Sequence, residues 1–255
     1  MSKYFSHGGF EIPKAVIFDT DNTLYPYDPA HFAATKAVQD KATSLLGVTC
    51  QEFDIAFKAA RQDVKNRLEG TASSHSRLLY FQRTLESLGM GTQILLTLDL
   101  EQTYWSAFLA NARLFPGVRD FILQLKSDGV VTANITDLTS QIQFRKIVYF
   151  GLDEYFDYVV TSEEAGRDKP DKAPFEIALS KIGFQPSEIW MLGDNPISDI
   201  EGAASVGMTP IQKTHSGVKV SQVIKDGKGI SFEDFYSLLD VYKGLRGRVS
   251  SNKLD

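Results

Sequence analysis

The run Ala15-Val16-Ile17-Phe18 passes without a polar break into Asp19-Thr20-Asp21-Asn22-Thr23. A short run that is apolar at every position, not at alternate ones, suits a strand covered on both faces, as in a parallel sheet. Its abrupt end on two carboxylates one residue apart lets both reach the same small volume. Further apolar runs follow at 130–135, 158–160, 189–192 and 209–212, with helical patterns at 117–127, 139–150, 173–182 and 199–206. This alternation predicts an α/β fold with right-handed crossovers, a parallel sheet and a site at the C-terminal ends of its strands.

One interval breaks the alternation. Between Leu24 and Phe115 there is no strand pattern, only successive helix signals. Asp28-Pro29 reads as an N-cap followed by proline at the first helical position, and Gly47 closes that helix. Thr49 and Glu52 have capping-box spacing; the helix they open carries Phe53, Phe57, Ala60, Val64 and Leu68 on one face and stops near Gly70. Ser74 is expected to cap a third helix containing Leu78, Leu79 and Leu85, ending at Gly89. Helical sequence continues through Trp105 and Phe108 until Pro116-Gly117. The chain therefore divides into an α/β core, residues 1–25 and 116–255, and an inserted all-helical module, residues 26–115, with hinges at 25–28 and 111–116. Beyond Lys213 one more helix is expected at 232–242, with the last residues fraying.

Composition narrows the function classes. A 43% hydrophobic content is ample for a packed core, and a net charge of -5 argues against a nucleic-acid polymer bound through a basic surface. Cys50 is the only cysteine, so no internal disulfide forms, which fits a reducing cytoplasm. Residues 1–13 lack the apolar centre of a signal peptide, and no apolar run is long enough to span a bilayer. A cytoplasmic protein, monomer or homodimer, with no membrane partner is expected.

Four polar clusters carry the chemistry. A phosphate monoester repels nucleophiles, so a site that cleaves it needs a nucleophile, a metal to offset charge, donors for the equatorial oxygens and an acid for the leaving oxygen. Asp19 can be the nucleophile and Asp21 the proton donor and acceptor. Thr136-Asp137 offers a hydroxyl and a backbone N–H as phosphate donors. Lys169, in Gly166-Arg167-Asp168-Lys169-Pro170, can stabilise transition-state charge and hold Asp19 ionised. Gly193-Asp194-Asn195, with Asp199 five residues beyond Asp194, offers oxygen ligands to magnesium; Asp194 can bind directly and Asp199 can hold a metal-bound water or orient neighbours. Each cluster has a plainer reading alone. The aspartates of the first can be turn formers, Thr136 a helix cap, Lys169 a solvated lysine, and Ser198 with Glu201 a capping box that puts Asp199 in a first helical turn.

In this order and after these strands, the four clusters resemble the haloacid dehalogenase-like superfamily of hydrolases. Asp19, Asp21 and Thr23 match its Asp-x-Asp-x-Thr, Thr136 its strand-end Thr or Ser, Lys169-Pro170 its lysine before proline, and Gly193, Asp194 and Asp199 its Gly-Asp-x-x-x-x-Asp. Connecting text agrees at Gln143-Phe144-Arg145-Lys146-Ile147, Gly151-Leu152, Tyr155-Phe156-Asp157 and Gly202-Ala203. The likeness spans roughly residues 14–212, and much less of the helical module.

The resemblance implies a Rossmann-like core with a helical cap inserted between the first two motifs. It implies magnesium held by the carboxylates of Asp19 and Asp194 and the main-chain carbonyl of Asp21, with Asp199 beyond them. Thr20, Thr136, Asp137 and Lys169 are the expected phosphate-binding positions. Asp21 argues against dehalogenation, because haloacid dehalogenases lack this acid/base aspartate; no Schiff-base lysine of a phosphonatase is identified in the cap. Asp21-Asn22-Thr23-Leu24-Tyr25-Pro26 is similar to the branch containing pyrimidine nucleotidases. Tyr25, His31, His75, Arg77 and Tyr80 are the candidates for substrate selection, each also consistent with ordinary packing. The expected activity is a phosphatase acting through an aspartyl-phosphate on a small metabolite, a sugar phosphate or nucleoside monophosphate. A sugar-phosphate phosphomutase, or an idle binding protein of the same fold, is the alternative.

Overall fold

The computed structural model describes residues 10–251. Most of the segment read for a signal peptide (1–9) and the end expected to fray (252–255) lie outside the described residues. Six strands, β1 (Ala15–Phe18), β2 (Val131–Thr136), β3 (Tyr158–Thr161), β4 (Ile189–Gly193), β5 (Thr209–Lys213) and β6 (Ile230–Phe232), form one parallel sheet in the order β3-β2-β1-β4-β5-β6. The continuous apolar runs follow from coverage on both faces. Ala15 and Ile17 join Ala133, Ile135, Met191 and Phe175 on one face, while Val16 and Phe18 join Trp190, Leu192, Phe121 and Tyr242 on the other.

The chain leaves β1 toward β2 and later returns on its other side to build β4, so the loops after β1 and β4 diverge at the centre of the sheet. That switch point opens a crevice at the strands' C-terminal ends. The helices around the sheet are α5 (Val118–Ser127), α6 (Ser140–Tyr149), α7 (Ser162–Ala165), α8 (Lys172–Ile182), α9 (Gly202–Ser205), α10 (Gln222–Lys225) and α11 (Phe235–Ser251).

Between β1 and α5 the described residues are helical: α1 (Tyr27–Leu46), α2 (Cys50–Arg67), α3 (Arg77–Ser87) and α4 (Ile94–Asn111), with a 3-10 turn at Ala72–His75. The Thr49–Glu52 capping box is formed, and Gly47 ends α1 at φ 69°. The two crossings are tied by the Phe115 N–H donating to the Leu24 carbonyl at 2.9 Å. The helical module shares its apolar interior with one face of the sheet, Tyr25 lying against Phe108 and Phe150 with ring centroids 6.0 and 4.9 Å apart.

Several local expectations are corrected. Helix α1 starts at Tyr27, not after an Asp28 cap, because Asn22 Oδ1 accepts from the Tyr27 N–H at 2.9 Å. Ser74 lies in the 3-10 turn, and Ser76 caps α3 by accepting from the Leu79 N–H at 3.3 Å. Ser198 and Glu201 form no capping box: the chain enters α9 through a wide π-type turn at Pro196–Glu201, whose cap is Asn195, accepting from the Ile197 and Ser198 N–H groups. Strand β6 was not anticipated. Phe232 belongs to it rather than to the last helix, whose start is set by Asp234 accepting from the Ser237 N–H at 2.9 Å.

Candidate active site

Asp19 is the first residue beyond β1, and its N–H extends the ladder by donating to the Leu192 carbonyl at 2.8 Å. Its buried carboxylate is held at both oxygens: Lys169 Nζ donates to Oδ1 at 2.7 Å and Thr23 Oγ1 to Oδ2 at 2.9 Å. Lys169 Nζ also donates to Asp199 Oδ1 at 2.7 Å and to the Ile135 carbonyl at 3.2 Å, so its three protons join the end of β1, the end of β2 and the turn after β4. Asp199 Oδ2 accepts from the Asn195 N–H at 3.0 Å, and Asp194 Oδ2 lies 3.1 Å from His215 Nε2. The close approach of Asp199 to β4 needs Gly193, where a Cβ would stand 2.2 Å from the Asp199 Cβ.

Carboxylate oxygens of Asp19, Asp194 and Asp199 all lie within 4.8 Å of one another. Burial and the neighbouring Asp199 push Asp19 up to about 7; burial and Asp19 push Asp194 up to about 6. Burial likewise raises Asp199, while Asp19 and Asp199 overcome burial to hold Lys169 well above the usual lysine range. One lysine does not neutralise three buried carboxylates. An all-oxygen, anionic donor set in surplus of positive charge fits a hard divalent cation such as magnesium.

The Asp21 carboxylate stands apart from that cluster. Its Oδ1 accepts from Lys146 Nζ at 2.8 Å and from the Tyr25 hydroxyl. Burial alone would raise Asp21, but Lys146, with Tyr25 and Arg77, outweighs it and holds the group below the usual carboxylate range. Thr136 ends β2 opposite Thr161, and Asp137 Oδ1 accepts from the Lys169 N–H at 2.9 Å. The Thr20 hydroxyl donates to Asn134 Oδ1 at 3.2 Å, so its side chain braces β1 against β2.

Among the residues considered for substrate selection, Tyr25 is fully buried, His31 Nδ1 lies 2.7 Å from the Tyr104 hydroxyl, and the Tyr80 hydroxyl donates to the Ser74 carbonyl. His75 reaches across to Asp168 at 3.2 Å. Arg77 and Tyr80, with Tyr27, Arg61, Lys65, Asp21 and Lys146, line a cavity of about 210 Å³.

Sequence reasoning assigned no role to Lys146, His215 or Asn134. A lysine on the same helical face as Ile142 and Gln143 was the available signal for Lys146. Asn134 sits in the middle of an apolar strand, where a polar residue asks for a partner. His215 is in a loop that periodicity does not illuminate.

The model of the haloacid dehalogenase-like hydrolase family matches residues 13–207. The chain belongs to this family. Among curated relatives of this haloacid dehalogenase-like hydrolase, a ribulose-1,5-bisphosphate 5-phosphatase of Halopiger xanaduensis is 39% identical over 198 residues, 77% of this chain and 83% of the relative. A glyceraldehyde 3-phosphate phosphatase of Methanothermobacter thermautotrophicus is 32% identical over 199 residues, 78% of this chain and 84% of the relative. Among solved structures, a phosphatase of this superfamily from Thermococcus onnurineus superposes with a TM-score of 0.68 at 23% identity, covering 89% of this chain and 96% of its own, which supports the shared fold. No described helix is long and apolar enough to cross a membrane.

Proposed function

We propose that this hydrolase is a magnesium-dependent phosphatase of small sugar phosphates that works in the cytoplasm through an aspartyl-phosphate on Asp19. The observation that carries the reading is the Asp19 carboxylate at the sheet's switch point, oriented by Lys169 and Thr23 at 2.7 and 2.9 Å, with Asp21 two residues on. An Asp19 oxygen attacks phosphorus as the bond to the sugar oxygen breaks, and Asp21, ionised beside Lys146, relays a proton from the incoming phosphate monoanion to that leaving oxygen. Asp21 then takes a proton from a water that attacks the same phosphorus, releasing phosphate and restoring Asp19. Thr136 and the Thr20 and Asp137 N–H groups receive the equatorial oxygens, and Lys169, its protons held by Asp19, Asp199 and the Ile135 carbonyl, contributes positive charge. Magnesium, which the Asp19 and Asp194 carboxylates and the Asp21 main-chain carbonyl would hold with Asp199 behind them, would supply positive charge to offset that of the phosphoryl group.

Sugar phosphates are preferred to nucleotides because two relatives that align over most of their length are named for phosphorylated sugars. Those names also favour transfer to water over the phosphomutase alternative. Purified protein should release inorganic phosphate from an aryl phosphate and from pentose and triose phosphates when magnesium is present. Asp19→Asn should lower this by at least about a thousandfold. Turnover surviving that substitution, or isomerised sugar phosphate in place of free phosphate, overturns the reading.

A further inference from the structure

Three cations, Arg61, Lys65 and Arg77, line the same cavity as Asp21 and Lys146. Arg61 and Lys65 stand one turn apart on α2, a spacing at which like charges repel. Arg77 is the first residue of α3, where the helix dipole disfavours a positive charge. Among the described residues none of the three has a carboxylate within ion-pairing distance. Burial, followed by Arg61 and Arg77, lowers the Lys65 pKa, with Asp168 opposing.

Arg77 is also the most firmly placed of the three. Its guanidinium lies over the rings of Tyr80, Tyr104 and Trp105 at 5.5, 5.2 and 5.4 Å. Its Nη atoms donate to the His75 carbonyl at 2.6 Å and the Tyr27 hydroxyl at 2.5 Å, while its buried Nε has no partner. A buried donor without an acceptor is costly, and an anion in the cavity would offset the charge of the guanidinium that lines it. Lys146, which lines the same cavity, is already committed to Asp21.

We propose that Arg61, Lys65 and Arg77 seat a second phosphate on the substrate, so that the preferred substrate is a short sugar phosphorylated at both ends. One phosphate lies at Asp19 while the other is held across the cavity by the helical module. A doubly charged phosphate suits three cations better than a carboxylate does, and guanidinium groups match its geometry. This inference rests on the sugar-phosphate phosphatase reading and adds to it which sugar phosphates are cleaved.

The test compares kcat/KM of the full chain on a pentose bisphosphate, the same pentose phosphorylated once, and a phosphorylated sugar acid. The bisphosphate should be preferred over the monophosphate by about tenfold or more, the worth of one or two charge-assisted hydrogen bonds. The Arg61→Gln, Lys65→Gln double variant should lose most of that ratio, chiefly through KM on the bisphosphate. Arg77→Lys, which keeps charge but not the fork, should reduce the ratio without unfolding the module. Equal kcat/KM on the two pentose phosphates, or a ratio that survives the double variant, overturns the second-phosphate seat alone. A sugar acid handled as well as the bisphosphate overturns the assignment to phosphate. Absence of phosphate release from every compound, the aryl phosphate included, removes the phosphatase reading as well.

Discussion

Lys146 Nζ lies 2.8 Å from Asp21 Oδ1, and the ammonium stands over the rings of Tyr25, Trp105 and Phe108 at 5.8, 5.7 and 5.4 Å. Trp105 and Phe108 come from the helical module, Lys146 from the core and Tyr25 from the crossing between them. The lysine is buried at 1% side-chain exposure, so its charge depends on Asp21 and on the ring faces. In the proposed mechanism this pair favours the ionised Asp21 that activates water.

Replacing Lys146 by methionine should therefore slow breakdown of the aspartyl-phosphate more than its formation from an aryl phosphate, whose leaving group needs little acid. Steady-state kcat should fall about ten- to a hundredfold, and a burst of aryl alcohol should precede the slow phase. A folded variant with unchanged kcat and no burst would refute the role given to Lys146.

Chelation should abolish phosphate release and magnesium should restore it. The same ion should raise the melting temperature, because Asp19, Asp194 and Asp199 repel one another in its absence and ligand binding stabilises only the folded state. The melting shift should vanish in Asp194→Asn, which removes one of the three carboxylates. A shift of equal size in that variant would place the cation elsewhere.

Substitution of Gly193 by alanine should disable the site through geometry. The new Cβ would stand 2.2 Å from the Asp199 Cβ, so the carboxylate shared with Lys169 must move. Overpacking of this kind costs about 1–3 kcal/mol, and activity should fall further than that stability loss implies. Melting curves set beside kcat distinguish this from simple unfolding; wild-type kcat would show that the approach is dispensable.

Acid should weaken the helical module through His31. Burial, then Arg77 and Arg61, lower its pKa to about 4 from an ordinary 6.5, with Asp28 opposing. The folded state thus binds this proton less readily than the unfolded chain. The stability it contributes is complete above pH 6.5 and is lost as the pH falls toward 4. His31→Asn should melt with less dependence on pH across that window, and an identical slope in both proteins would exclude His31 as the source.

Much of the site could be located in the linear chain because each of its groups follows an apolar run, and a buried parallel strand has few other ways to end. Asp19 after Phe18 and Asp194 after Gly193 need only the strand period and a carboxylate to be noticed. Lys146 could not be assigned, since its partner lies 125 positions away and its helical pattern tolerates either a core or a surface lysine. Strand β6 escaped because three residues, Ile230–Phe232, are too few for a period to register; pairing with β5 makes them a strand.

The amino-acid order alone determined the α/β class, the place of the helical stretch between β1 and α5 and the set of groups proposed to cleave a phosphate ester, because these depend on local apolar periodicity and residue type. Only the tertiary structure decided which carboxylates share one small volume, that Asp21 answers to Lys146, and that Arg61, Lys65 and Arg77 face one cavity. Those relations join residues distant along the chain, and their distances are set by how the helices pack over the end of the sheet.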